Sequence, residues 1–225
     1  DVRAHKILDH FNGIDDIKNK IIRHINDKTF IEDPLRIYRA AQFAARLGFS
    51  IADETKELSK TVDLSTLPRE RVYQEWKKIL LSSDKPSLGL EALDDMDVIE
   101  RYYPEVHVLK TTPQRKDYHA EGDVFIHTKM ALDAASKVVK RFPDAKDKLT
   151  IMLATLCHDL GKSTTTKISD GQITQHGHEE AGIEPARHFL NRPTNEPGIT
   201  NEVLFLVEHH LLPLTSYNTQ SPNSS

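Results

Sequence analysis

Leu156-Cys157-His158-Asp159-Leu160-Gly161-Lys162 is the stretch on which the reading of this chain turns. It closes an apolar run in which Leu149, Met152, Leu153 and Leu156 recur at helical spacing. A helix is therefore expected over 147–160, stopped by Gly161, with an imidazole and a carboxylate side by side at its C-terminal end. Nitrogen and oxygen donors together suit a borderline or hard divalent ion. A carboxylate carried into a core is costly without a cation beside it. Taken alone, the pair has a blander reading: His158 interacts with the negative end of the helix and Asp159 is solvated.

Three further segments change the balance. His127 lies in a helix expected over 124–142, followed by Met130, Ala131, Ala134 and Val138 at three, four, seven and eleven positions. That spacing places it on the apolar, inward side. Gln175-His176-Gly177-His178-Glu179-Glu180 leads into a helix over 178–190, opened by His178, with Gly182 one turn on to allow close packing. His209 and His210 come near the end of a last helix over 201–212. Adjacent helical residues point about 100° apart, so one of the two is expected to reach a shared site. Four helices that each bring histidine or aspartate inward make a candidate metal centre. A divalent ion there, with Mg²⁺, Mn²⁺ and Ni²⁺ the candidates, activates water and polarises a phosphoryl oxygen.

The rest of the chain bounds this reading. Of 225 residues, 38% are hydrophobic and 28% charged, enough to bury a core and too apolar for a disordered chain. A net charge of −4, from 30 basic and 34 acidic residues, excludes a globally basic nucleic-acid binder. Lys18, Lys20, Arg23, Arg36, Arg39 and Arg46 are candidates for phosphate contacts, with a solvated helix face as the alternative. The apolar runs are too short to span a bilayer. Cys157 is the only cysteine, which fits a reducing compartment, and the cytoplasm is expected. There is no internal repeat.

Helices are expected over 16–24, over 34–47 with Asp33 as N-cap and Gly48 past the end, over 69–81 and over 88–96. Pro104 is expected to end the piece after that. The polar stretch 109–118 reads as a linker or surface loop. Asp170-Gly171, between Lys167-Ile168 and Gln172-Ile173, signals a small hairpin.

The series His127, His158-Asp159, His178, His210 resembles the HD superfamily of metal-dependent phosphohydrolases, for which the quoted string is a specific signature. The resemblance implies an all-α fold and a metal held by His127, His158, Asp159, His178 and His210, with His209 the fallback for the last. It implies His158 and Asp159 as the catalytic pair. Many members also use a later aspartate, and this chain has none after Asp170.

In the N-terminal half, Asp9-His10-Phe11-Asn12-Gly13-Ile14-Asp15-Asp16-Ile17, Glu32-Asp33-Pro34-Leu35-Arg36 and Arg69-Glu70-Arg71-Val72-Tyr73-Gln74-Glu75-Trp76 resemble three motifs of the class II tRNA nucleotidyltransferase and poly(A) polymerase family. Read from the residues alone, Asp33 and Arg36 could simply pair on one helix face. The resemblance implies instead that they read the base of incoming CTP or ATP, with Arg71 and Glu75 at work in the neck helix. Asn12 stands where the family's flexible motif usually has its first glycine. The family's catalytic head, with its Gly-Ser-rich loop and paired aspartates, is expected to be missing: residues 1–9 are at most its last strand, and the C-terminus is expected to be cut. This chain alone is then not expected to add nucleotides.

The expected organisation is the tail of a head and a flexible motif over 1–25, a neck and body over 26–110, and an HD domain over 115–225, all-α with at most one small β-hairpin. The expected function is tRNA 3′-end maturation and repair, with phosphomonoester or 2′,3′-cyclic phosphate hydrolysis at the HD site. The expected partners are a tRNA or other RNA 3′ end and nucleotides, without a membrane. Two rivals remain: a stand-alone HD phosphohydrolase acting on nucleotides, and a non-catalytic RNA-binding body with a degenerate or structural metal site.

Overall fold

The computed structural model describes residues 7–115, 122–194 and 196–212. They form two compact units, one ending at Val98 and the other beginning at Ile99. Both are built from helices, as expected, and no helix among the described residues is long and apolar enough to cross a membrane.

The first unit opens with α1 (Gly13–Asn19), which starts earlier and stops sooner than expected because Lys20 adopts a left-handed conformation with φ 57°. Ile21-Ile22 then leave the helix as a two-residue strand, β1, pairing in parallel with β2 (Ser50–Ile51). This is an addition to the expected hairpin, and branched isoleucines suit extended backbone. Between the strands lie α2 (Asp27–Glu32) and α3 (Leu35–Leu47), and Gly48 ends α3 in the left-handed conformation, φ 67°. Asp33 does not cap α3 with its side chain, contrary to expectation. The proline after it favours an extended residue, and only its backbone carbonyl accepts from Arg36 N, at 3.0 Å.

After α4 (Asp53–Lys60) come α5 (Arg69–Leu81) and α6 (Pro86–Asp95), both packed on α3. Small residues set this approach. Ala41 and Ala45 of α3 and Gly89 of α6 face one another, and a Cβ on Gly89 would meet Ile79 Cγ2 at 2.7 Å and Ala45 Cβ at 3.1 Å. Trp76, Tyr73, Ile79 and Leu90 fill the core, each burial contributing roughly 1.5–3 kcal/mol. Several basic residues offered for phosphate contact are engaged locally: Lys18 pairs with Asp15 at 3.1 Å, and Arg23 with Asp16 and Glu54.

The chain passes into the second unit through α7 (Val98–Tyr102). Pro104 begins α8 (Pro104–His107) rather than ending the preceding piece, since proline suits a first helical turn. A 3₁₀ turn, Val108–Thr111, follows. The stretch expected as a surface loop is partly interior, with Leu109, Thr112 and Gln114 buried; residues 116–118 lie outside the described residues. Next come α9 (Val124–Val139), α10 (Ala145–Cys157) and α11 (Lys162–Thr165). Helix α10 packs against α9 and against α14 (Pro197–His209), which explains its apolar faces at Leu149, Met152, Leu153 and Leu156.

The hairpin is where it was expected. Strands β3 (Lys167–Ser169) and β4 (Gln172–Thr174) pair antiparallel around Asp170 and Gly171, at φ 51° and 75°, the two left-handed positions of a type I′ turn. Helices α12 (His178–Ala181) and α13 (Ile183–Leu190) divide at Gly182, where one continuous helix was expected. The tail after Leu212 lies outside the described residues.

Candidate metal centre

Three histidines of the second unit are set by one local device. His158 ends α10, His210 ends α14 and His178 begins α12. Each ring places Nδ1 on the backbone carbonyl three residues earlier: Thr155 O at 2.8 Å, Gln175 O at 2.7 Å and Val207 O at 2.7 Å. A carbonyl only accepts, so each Nδ1 carries a proton, and in its neutral form each ring presents the Nε2 lone pair. The helix-end reading of His158 therefore holds, and the same geometry also aims its other nitrogen at the site.

What the Nε2 atoms face is Asp159. This carboxylate is 2% exposed, so the solvated reading fails. His158 Nε2 lies 3.1 Å from Oδ2, His127 Nε2 3.6 Å from Oδ2 and His178 Nε2 3.4 Å from Oδ1. Lys162 Nζ is 2.7 Å from Oδ2, so a lysine and two histidines crowd the same buried oxygen. Burial by itself pushes the Asp159 carboxyl up, but the positive fields of His158 and Lys162 prevail and hold it well below the usual carboxylate range. Burial, together with the charges of His158 and His178, lowers the His210 pKa against the opposing pull of the Val207 carbonyl and Asp159, which favours the neutral ring a ligand needs.

Two observations fit this set to a cation. The buried carboxylate gathers three Nε2 atoms within 3.6 Å, and the Nε2 atoms of His178 and His210 meet at 3.2 Å, lone pair toward lone pair in the neutral tautomers. The donors fall into two overlapping triads, His127-His158-Asp159 and Asp159-His178-His210, each with its ligand atoms within 4.8 Å of one another and with Asp159 in common. They line a cavity of about 380 Å³.

The expected residues are thus brought together, with one argument corrected. His127 reaches the site, but not on the stripe offered for it: Met130 and Val138 are 56% and 50% exposed. The buried face of α9 is Val124, Phe125, Thr128, Leu132 and Val139, and His127 stands at its edge. Of the adjacent pair, His210 enters, whereas His209 stacks on Phe205 with centroids 4.4 Å apart. Close packing at Gly182 is real: Gly161 lies against it, and a Cβ on Gly161 would meet His178 O at 2.1 Å and Gly182 N at 2.5 Å.

Two participants carried no sequence signal that was used. Lys162 stood in the quoted string without a role; its place three residues after Asp159, on the next turn, was the available clue. Gln114, assigned to a loop, is buried and accepts from Lys162 Nζ at 2.8 Å.

In the first unit, Asp33 Oδ1 faces Arg71 Nη2 at 3.4 Å and Oδ2 faces Arg36 Nε at 3.7 Å. Asp33, Arg36 and Arg71 form an exposed cluster where α3 and α5 begin. Glu75 is buried one turn further along α5, its Oε1 2.8 Å from Lys78 Nζ.

Residues 124–223 match the family model described as HD domain, and residues 48–110 match the one described as a probable RNA and SrmB-binding site of polymerase A. The multifunctional CCA protein of Pasteurella multocida is 39% identical over 196 residues, covering 83% of this chain and 45% of that protein. The chain belongs to the CCA-adding family and carries an HD domain. It spans about half the length of the curated relatives it matches. Solved CCA-adding enzymes share its fold. One apo form superposes with a TM-score of 0.58 at 20% identity, over 96% of this chain and 44% of that one. The Thermotoga maritima enzyme, solved with tRNA, gives 0.53 at 20% identity, over 94% and 44%.

Proposed function

We propose that this chain serves tRNA 3′-end maturation and repair, and that its second unit is a divalent-metal phosphohydrolase for a phosphomonoester or 2′,3′-cyclic phosphate. The observation that carries the reading is the buried Asp159 ringed by inward Nε2 atoms, a donor set that suits a hard or borderline divalent ion. His127, His158, Asp159, His178 and His210 would hold it; Mg²⁺, Mn²⁺ or Ni²⁺ would serve. Such an ion lowers the pKa of bound water and offsets charge on the phosphoryl group.

The chain's own part is positional. Asp159 and His158 would supply the negative charge and the lone pair that hold the ion. Lys162, buried and held by Gln114, fixes Asp159 and adds a positive charge beside the reacting phosphoryl group. In the hydrolysis, a water oxygen bonds to phosphorus, one P–O bond to the ribose breaks, and the leaving hydroxyl takes a proton. The two triads that share Asp159 favour room for two ions, even though no aspartate follows Asp170.

For the first unit the proposal is that Asp33 and Arg36 read the base of CTP or ATP, supported by Arg71 and Glu75, within a cytoplasmic protein that handles RNA 3′ ends. The Asp33–Arg71 and Asp33–Arg36 contacts support it, since they pre-orient a carboxylate and two guanidinium groups.

The test is hydrolysis of 2′,3′-cyclic AMP and p-nitrophenyl phosphate by the purified chain with each ion, beside Asp159→Ala. Metal-dependent turnover that falls more than about 100-fold in the variant is expected, beyond the usual cost of losing a residue that only supports a ligand. A folded chain with no turnover under any ion would leave the non-catalytic RNA-binding body. Turnover confined to free nucleotides would favour a stand-alone nucleotide phosphohydrolase.

A further inference from the structure

The carbonyls that anchor His158, His178 and His210 are not equally fixed. Thr155 O, which holds His158, belongs to α10, and Val207 O, which holds His210, belongs to α14. Each is set by the helix around it. Gln175 O, which holds His178 at 2.7 Å, lies between β4 and α12 and belongs to neither. Gly177, between this anchor and its ring, is left-handed at φ 75°, and glycine leaves the backbone there more freedom than any other residue. Something other than a regular element must hold this carbonyl.

The Gln175 side chain is placed to do so. Its Nε2 donates to Pro113 O at 3.1 Å and to Thr166 Oγ1 at 2.9 Å. Both partners are committed acceptors. A carbonyl can only accept, and the Thr166 hydroxyl spends its proton on Lys162 O at 2.6 Å. These bonds fix which end of the amide faces inward. They tie the exit of the hairpin to the end of α11 and to the stretch before α9. Helix α11 carries Lys162, whose Nζ is 2.7 Å from Asp159 Oδ2. One side chain thus puts the His178 anchor and the Lys162 backbone in a common frame.

We propose that Gln175 is a positioning residue for the candidate metal centre: by clamping Pro113 and Thr166 it fixes the carbonyl that turns His178 Nε2 toward Asp159 and His210. The proposal rests on the metal reading of that site and goes beyond it by separating the two triads. His127-His158-Asp159 takes its rings from α9 and the end of α10, whereas Asp159-His178-His210 depends on Gln175. Loss of the clamp should free one ring of three and not loosen the centre as a whole.

The experiment has two readouts on the full chain, beside Gln175→Ala and Gln175→Glu. The glutamate is nearly the same size, but its carboxylate has no N–H to donate and would face two acceptors. In the metal-free chain, NMR follows solvent exchange of the three Nδ1 protons. Exchange at His178 is expected to quicken by about tenfold in both variants, the scale of one hydrogen bond, while His158 and His210 keep the parent rate. Calorimetry with Ni²⁺ is expected to show affinity lower by about tenfold, the lower end for groups that orient ligands. Equal quickening of all three rings would mean general loosening and overturns the proposal. So does an unmoved His178, or a Gln175→Glu chain that behaves as the parent. Ni²⁺ binding that neither variant weakens overturns the positioning role and leaves the metal reading intact. No Ni²⁺ binding by the folded parent chain overturns the metal reading and the proposal with it.

Discussion

Asp159 and Asp33 are both aspartates facing cations, yet their surroundings differ in kind. Asp159 is 2% exposed, with lysine and histidine donors arriving from several helices. Asp33 is 30% exposed, and its arginine partners are 44% and 51% exposed. A buried carboxylate has few neighbours to choose from, so its surroundings must be specified in detail. An exposed one is screened by water and gains little from any single partner. The first cluster should therefore be sensitive to small changes in packing, and the second sensitive only when a ligand is bound.

The largest effect should come from Gly161→Ala. The added methyl has backbone on its far side, His178 O and Gly182 N, so α12 must move and carry His178 with it. A loss of about 3 kcal/mol is expected from overpacking, read by chemical denaturation, together with weaker metal binding by calorimetry. Unchanged stability would mean that α11 and α12 do not cross as closely as described, and the contrast would lose its basis.

Next is Gln114→Ala, which takes one of two partners from the buried Lys162 ammonium and leaves it on Asp159 alone. Metal affinity or turnover should fall by about 10–100-fold, the range for groups that orient ligands. Gln114→Glu sharpens the point, because a carboxylate restores a partner for Lys162 and should recover part of the loss.

Asp33→Ala tests the other side of the contrast. Stability should change by less than about 1 kcal/mol, as for exposed ion pairs, with phosphoester hydrolysis unaltered. If CTP and ATP bind this unit, their affinity should drop by about tenfold in equilibrium binding. A large loss of stability would show that the exposed cluster, too, is structural.

The smallest effect concerns pH. Glu202 accepts from Lys146 at 2.6 Å and lies below its ordinary pKa of 4.5, chiefly through that bond. A carboxyl with a depressed folded-state pKa adds stability above its unfolded pKa, and that stability is lost as pH falls through the folded value. Glu202→Gln should therefore lower Tm slightly near neutral pH, the difference closing as pH falls below the ordinary 4.5 and through the lower folded value. A difference that widens in acid would reverse the sign.

The legibility of the two clusters followed the same division. The helices and the hairpin could be read because period and turn chemistry are local: Leu149 to Leu156 for α10, and Asp170-Gly171 for the turn. The convergence of these histidines on Asp159 could be read from residue types that have few other reasons to meet. His127 comes within 3.6 Å of Asp159, but not for the reason its spacing offered, since Met130 and Val138 lie on the open side of α9. Gln114 was out of reach, because nothing local tells a polar residue in a proline-containing stretch that it will be buried against a lysine far along the chain. The exposed cluster around Asp33 became visible only through resemblance, as its residues also satisfy an ordinary surface pairing. The strand pair β1–β2 was missed because two isoleucines continue a helical pattern as well as they begin a strand.

That strand pair also bears on the order in which the first unit assembles and opens. Ser50 N bonds Lys20 O at 2.9 Å and Ala52 N bonds Ile22 O at 3.0 Å, joining segments separated by all of α2 and α3. So few bonds cannot repay so long a closure until α3 has already brought the ends together. The clasp forms late, and α1, which buries none of its residues, is tethered through it. Amide exchange should then find α1 and β1 opening as one cooperative segment while α3, α5 and α6 stay protected. The left-handed residue Lys20 is the joint between the two parts of that segment.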